Sequence, residues 1–353
     1  MAENIRIDSH KLIYHPGTVA DWLNGENIYP IEIEISPSGA CNHRCIFCAL
    51  DYMGYEPNFL KKDVLLSTVK AMHDKGLKSV VCAGEGEPLL NRDFPEIANT
   101  MKEYGLDVAM STNGVLLTKE ISKECLGAFK WIRFSVASLE KSSYHSIQCG
   151  ADGDLEKVCE NIQDAVKVKR DNGLHTTLGV QCLLIPQNIG QIVEMAKKLR
   201  EFGVDYFTVK PYMSHTLTNN SFNVDYSAMG DLEKELKQYE TDDYQIYFRI
   251  HAMEKMKKKK TYSKCYALPF MVHIDAKGNV WPCVELINRE GFSYGNIYKN
   301  TFDEIWNSGQ RRDVIDRINQ MDLNVECSES CRMDEMNRYL CELKHLGGHV
   351  NFI

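Results

Sequence analysis

From residue 30 onward, short apolar runs of period two alternate with longer stretches of helical period. Ile31-Glu32-Ile33-Glu34-Ile35 alternates apolar and polar side chains and predicts a strand. By the same reading strands are expected over 30–36, 78–83, 107–111, 131–136, 176–185 and 205–210. Helices are expected over 62–75, 94–104, 118–128, 154–172 and 189–203. Leu65, Val69 and Met72 show the i, i+4, i+7 spacing of an amphipathic helix. Gly76, Gly105, Gly173 and Gly203 each follow a helical run, where a C-cap glycine belongs. Strand alternating with helix predicts an α/β fold on a parallel sheet, and six units are too few to close an eight-fold barrel. Residues 211–262 read as a polar connector with helical stretches. A different pattern begins at about 263. Around Val272–Trp281 an apolar alternation, a Lys277-Gly278-Asn279 turn and a second short run predict a β-hairpin.

Composition narrows the function classes. The 353 residues suffice for one large domain and a smaller one. A formal net charge of −8 argues against a general nucleic-acid binder. The one basic run, Lys255 with Lys257 to Lys260, is read as a solvated helix end or linker. No 18-residue apolar stretch occurs and Met1-Ala2-Glu3-Asn4-Ile5-Arg6 has no apolar h-region, so no membrane partner and a cytoplasmic location are expected. Thirteen cysteines in such a chain point to metal ligation or reactive thiols rather than disulfides.

The cysteines carry the candidate chemistry. Cys41, Cys45 and Cys48 are spaced C-x3-C-x2-C in the loop after the first expected strand, with no fourth cysteine within thirty residues. A structural zinc site asks for four ligands, whereas a cubane held by three thiolates keeps one iron open. Zinc or three unrelated buried thiols is the alternative. Further along come Cys265, then, after seventeen intervening residues, Cys283, then Cys327, Cys331 and Cys341. A hairpin between the first two brings their thiols together. Four thiols suffice for one further cubane, with zinc again the alternative.

The triplet resembles the radical S-adenosylmethionine (SAM) superfamily, and its position after a barrel strand agrees with that resemblance. The resemblance implies a partial (β/α)6 TIM-like barrel in which an open iron of a [4Fe–4S] cluster on Cys41, Cys45 and Cys48 chelates SAM. One electron from a flavodoxin or ferredoxin then yields a 5′-deoxyadenosyl radical. Phe47 matches the aromatic position packed near the adenine. Gly84-Glu85-Gly86-Glu87-Pro88 resembles the family's GGEP motif, with Glu85 interrupting the glycine pair. Ser111, Asn113, Ser135 and Gln181 are the remaining candidate SAM contacts. Where many relatives carry Asp, this chain has Ala137. Lys210, Tyr212 and His215, after the sixth strand, are the candidate substrate-side residues.

Cys265, Gly278 and Cys283, followed by Gly295-Asn296-Ile297, resemble the opening of SPASM and twitch modules, which carry auxiliary [4Fe–4S] clusters. Five cysteines after residue 260 favour one auxiliary cluster on Cys265, Cys283, Cys327 and Cys331. Cys341 is left as a substitute ligand, a radical-quenching thiol or a buried one. Cys149 and Cys182 are minority candidates for a hydrogen-atom donor. The division expected is an N-terminal extension (1–29), the barrel (30–210), a helical connector (211–262), a small α+β cysteine-bearing cluster module (263–335) and a tail (336–353). The cluster loop begins at Cys41, so a peptide-leader domain before it is not expected. The favoured substrate is a small hydroxylated molecule such as a sugar, cyclitol or nucleotide-sugar. In a dehydrogenation the auxiliary cluster would accept an electron and Lys210 serve as base; an epimerisation would use a thiol donor. Peptide or protein modification is the second reading, and a non-enzymatic zinc protein the remote one.

Overall fold

The computed structural model describes residues 9–352 apart from 228, 257 and 330, so the first eight residues of the N-terminal extension and Lys257 of the basic run lie outside the described residues. The six expected strands form: β1 (Glu32–Ile35), β2 (Ser79–Cys82), β3 (Asp107–Thr112), β4 (Phe129–Ser135), β5 (Thr177–Leu184) and β6 (Tyr206–Pro211). Each pairs in parallel with the next. Helices Lys62–Asp74, Phe94–Glu103, Lys119–Cys125, Asp154–Asp171 and Ile192–Phe202 fill the crossovers where helical period predicted them. The four glycines expected to stop helices have φ between 60° and 111°, the left-handed turn that glycine adopts without a Cβ clash.

Alternation along the strands separates two faces. Ile33, Val80, Val108, Ile132, Val180 and Phe207 pack with Leu65, Ile97, Ile162 and Leu199 of the helices in one core. The opposite face lines the lumen of a partial TIM-like barrel and carries Glu34, Ser111, Arg133, Ser135, Gln181, Thr208 and Lys210.

Two features extend this plan. The connector holds helices Gly230–Lys237 and Ile250–Lys255, and it also supplies β7 (Gln245–Phe248), parallel on β6. At the other edge β8 (Met271–Ile274) lies parallel on β1, and β9 (Asn279–Trp281) and β10 (Gly295–Asn296) follow antiparallel. The sheet order is β10-β9-β8-β1-β2-β3-β4-β5-β6-β7. Eight parallel strands therefore form the open barrel, and the cysteine-bearing hairpin continues the same sheet.

A second core joins the two ends of the chain. Leu12, Val19, Ile28 and Ile31 pack with Phe270, Met271, Met333 and Leu340. Trp306 Nε1 donates to the Ile28 carbonyl at 2.9 Å. Helix Asp334–Lys344 runs across the boundary expected at 335, and its Asn337 is buried. Among the described residues no helix is long and apolar enough to cross a membrane.

Candidate functional site

The loop after β1 brings Cys41, Cys45 and Cys48 together: the charge of Cys48 acts on Cys41, and those of Cys48 and Cys41 act on Cys45. Burial pushes the Cys41 thiol up to about 11 and those of Cys45 and Cys48 above their usual value. Thiols so placed ionise when a metal replaces the proton. The loop is fastened at several points. Arg44 N donates to the Gln148 carbonyl at 3.2 Å and Ile46 N to the Ile147 carbonyl at 2.9 Å. His43 is buried, with Nε2 at 3.4 Å from Asp154 Oδ2 and Nδ1 at 3.4 Å from Gln148 Nε2. Gln148, wholly buried, also accepts from Ala137 N at 2.8 Å and donates to the Ser135 carbonyl at 3.1 Å. Phe47 packs with Ala137, Ile147, Ile185 and Tyr212.

The segment 84–88 braces this loop from the side. A Cβ on Gly84 would lie 1.9 Å from Ser36 Oγ, and one on Gly86 would lie 2.0 Å from the Ala40 carbonyl. In this structure the glycines make room for the cysteine loop itself. Glu87 is 2% exposed and accepts from Thr112 Oγ1 and Asn113 N, both at 2.7 Å, which locks the turn after β2 to the turn after β3. Burial raises its carboxyl to about 7. Glu85 points the other way: its carboxylate accepts from Ala276 N at 3.2 Å, in the β8–β9 turn. Burial and then Asp275 raise it to about 7. The interrupted glycine pair is therefore a contact between the barrel and the C-terminal hairpin. Asn113 Nδ2 donates to Asn42 Oδ1 at 2.6 Å, and Ser111 Oγ accepts from Arg133 at 3.0 Å. Ser135 and Gln181 are register partners on the lumen face.

Cys265, Cys283, Cys327 and Cys331 line a single cavity together with Tyr262, Glu285 and Asn337. Cys341 is not among the residues lining it. Asn337 Nδ2 points to Cys265 Sγ at 3.5 Å. A thiol hydrogen bond from Cys331 holds Cys327 down and Cys331 up. Arg332 ion-pairs with Glu34, and with Glu32 at 2.8 Å, fastening the last cysteine segment to β1.

The two thiol sets are bridged by residues 212–220. Thr218 Oγ1 donates to the Cys48 carbonyl at 3.2 Å, and Thr216 N donates to Glu285 Oε1 at 3.2 Å. His215 is buried between them, its ring stacked on Tyr52 at 4.8 Å and its Nε2 at 3.9 Å from Glu285. Tyr212 spends its hydroxyl on the Asn220 carbonyl at 2.9 Å, a structural contact.

Comparison with known proteins finds two family models in this chain. The Radical SAM superfamily model matches residues 35–199, and the SPASM model, an iron–sulfur cluster-binding domain, matches 265–332. The chain belongs to the radical SAM superfamily. It carries a SPASM-type auxiliary module at its C-terminal end. Among its relatives is a probable GTP 3′,8-cyclase of Sulfurisphaera tokodaii, 29% identical over 208 residues, 59% of this chain and 64% of that protein. Another, from Saccharolobus solfataricus, is 33% identical over 141 residues, 39% of this chain and 45% of that protein. The chain thus spans less than two thirds of the length of the curated relatives it matches. Of solved structures, Streptococcus suis SuiB bound to precursor peptide SuiA has a TM-score of 0.67 at 18% identity, covering 91% of this chain and 75% of that one. Native anSMEcpe with bound AdoMet has a TM-score of 0.60 at 16% identity, covering 88% and 89%. These likenesses establish the fold.

The family's cofactors are SAM with a [4Fe–4S] cluster and an auxiliary iron–sulfur cluster, and the donor sets fit them. The radical SAM loop offers thiols alone, three in number, and the SPASM cavity offers four. Sequence reasoning missed His43, Gln148, Asp154 and Tyr52, since none stands at a specified position of a motif. Cys149, a minority candidate for a hydrogen-atom donor, is exposed on the turn after helix Lys141–Gln148 and comes within electrostatic reach of Cys45. Cys182 is fully buried in the helix-side core and faces away from the lumen, which removes it as a hydrogen-atom donor.

Proposed function

We propose that this radical SAM protein takes a hydrogen atom from a small hydroxylated substrate, a sugar, cyclitol or nucleotide-sugar, held in the barrel lumen. The outcome is dehydrogenation or epimerisation, with a flavodoxin or ferredoxin as reductant. When bound, the clusters and SAM supply the electron and the 5′-deoxyadenosyl radical that attacks an unactivated C–H bond. Cys41, Cys45 and Cys48 hold the first cluster, and Cys265, Cys283, Cys327 and Cys331 the second. Gln148 and His43 fix the first loop, and Glu87 fixes the two turns beside it. The observation that carries the reading is the bridge of residues 212–220. One loop touches Cys48 at one end and Glu285, in the lining of the second thiol cavity, at the other. A substrate held between two redox centres would suit a reaction that removes a hydrogen atom and then an electron.

The polar lumen, with Ser135, Gln181, Thr208 and Lys210, supports a hydroxyl-rich substrate over an apolar one. Modification of a peptide or protein is the second reading. The solved relatives whose fold it shares include one bound to a precursor peptide. The test is anaerobic turnover with dithionite or reduced flavodoxin. Release of 5′-deoxyadenosine is expected from wild type and is expected to vanish in the Cys41/Cys45/Cys48→Ala variant. Deuterated sugars and nucleotide-sugars should pass deuterium into the released 5′-deoxyadenosine. Label transfer from a peptide with none from any sugar would select the second reading.

A further inference from the structure

Two cations, Arg133 and Lys210, stand on the lumen face of the barrel, far in sequence from either thiol set. In β6, Phe207 and Val209 belong to the helix-side core, so Tyr206, Thr208 and Lys210 take the lumen face. In β4, Ile132 and Phe134 are in that core and Arg133 faces the lumen. Gly179 of β5 lies opposite both Arg133 and Tyr206. A Cβ there would fall 2.1 Å from Tyr206 Cζ, so the missing side chain is the space through which the Tyr206 ring crosses toward Arg133. The Arg133 guanidinium lies 5.0 Å from the Trp131 ring centre and donates to Ser111 Oγ at 3.0 Å, while its buried Nε has no hydrogen-bond partner among the described residues. The titratable groups that act on Lys210 are Arg133 and Arg249, and those on Arg133 are Tyr206 and Arg249. Burial, then these two cations, bring the Lys210 ammonium down to about 7. A planar guanidinium with an open Nε–H suits an oxyanion.

We propose that Arg133 and Lys210 form an oxyanion site in the lumen that holds a phosphate or carboxylate group of the substrate. This rests on the reading above that the lumen is the substrate chamber. It narrows the class to an anionic, hydroxyl-bearing molecule such as a sugar phosphate, a nucleotide-sugar or a sugar acid. An oxyanion between the two side chains replaces their repulsion with two attractions and keeps Lys210 protonated. Arg133 is a binding residue in this account, and Tyr206 and Gly179 shape its position.

The test uses the reconstituted holoenzyme, with inorganic pyrophosphate and malonate as probes for phosphate and carboxylate. Calorimetric titration is expected to show that one of the two binds wild type and binds Arg133→Gln and Lys210→Gln at least tenfold more weakly. Iron content and SAM affinity should stay within twofold. The milder Lys210→Gln change keeps the test open should Arg133→Gln fold poorly. Binding of neither probe, or equal binding by the variants, overturns the proposal. So does competition between probe and SAM with a matching loss of SAM affinity, which would assign the cations to the SAM carboxylate. Failure of the wider functional reading has a separate sign: wild type would release no 5′-deoxyadenosine from SAM, whatever the probes do.

Discussion

Glu85 shows how one residue acquires a role that its motif does not announce. Its carboxyl is almost fully buried against Ala276 and its folded-state value is raised from 4.5 to about 7. The fold therefore prefers the neutral form. Stability is fully present below about pH 4.5, where both states are protonated, and falls as pH rises toward 7, because the unfolded chain ionises first. The loss between pH 5 and pH 8 is on the order of 2 kcal/mol. Glu85→Gln keeps an oxygen for Ala276 N and removes the charge. Its thermal midpoint is expected to match wild type near pH 5 and to exceed it near pH 8, while an equal offset at both values would refute the linkage. At this scale the thiols were legible in the sequence because their spacing is the signal. His43, Gln148 and Asp154 were not, because their roles depend on contacts made across turns and strands. Glu85 was visible as an interruption, but its partner Ala276 lies 191 residues away.

At the scale of elements, the loops at the strand ends are held apart and together by missing side chains. Gly86→Ala would drive a methyl group into the Ala40 backbone carbonyl, with no flexible side chain to yield. The variant is expected to lose the irons of the Cys41/Cys45/Cys48 cluster and keep those of the SPASM module. Gly190→Ala is the control, since a Cβ there meets nothing within 4 Å. A Gly86→Ala protein with full iron content would contradict the bracing role. The six core strands were legible because one face is apolar and the other polar, which writes a period of two into the chain. β7 was not, since Gln245–Phe248 is four residues long at the edge of the sheet, within a polar connector. The hairpin was legible from its turn. Its parallel seat on β1 was not, because pairing across 239 residues leaves no local pattern.

Across the whole molecule, barrel and SPASM module share one sheet and are clamped by side chains. Arg332 pairs with Glu32 and Glu34, and Glu34 is mostly buried. Arg332→Ala is expected to cost about 1–2 kcal/mol, between exposed and buried pairs. It should also speed hydrogen exchange in β8 and β9 relative to β3 and β4; uniform exchange across all four strands would show that the pair does not clamp the module. The proposed function requires two separate clusters, one on each thiol set. Iron and sulfide content after anaerobic reconstitution tests that most directly, in wild type, Cys41/Cys45/Cys48→Ala, Cys265/Cys283→Ala and Cys341→Ala. About eight irons in wild type and in Cys341→Ala, with about four in each of the other two, is the predicted result for two cubanes. About four irons in wild type, unchanged by Cys265/Cys283→Ala, would contradict it.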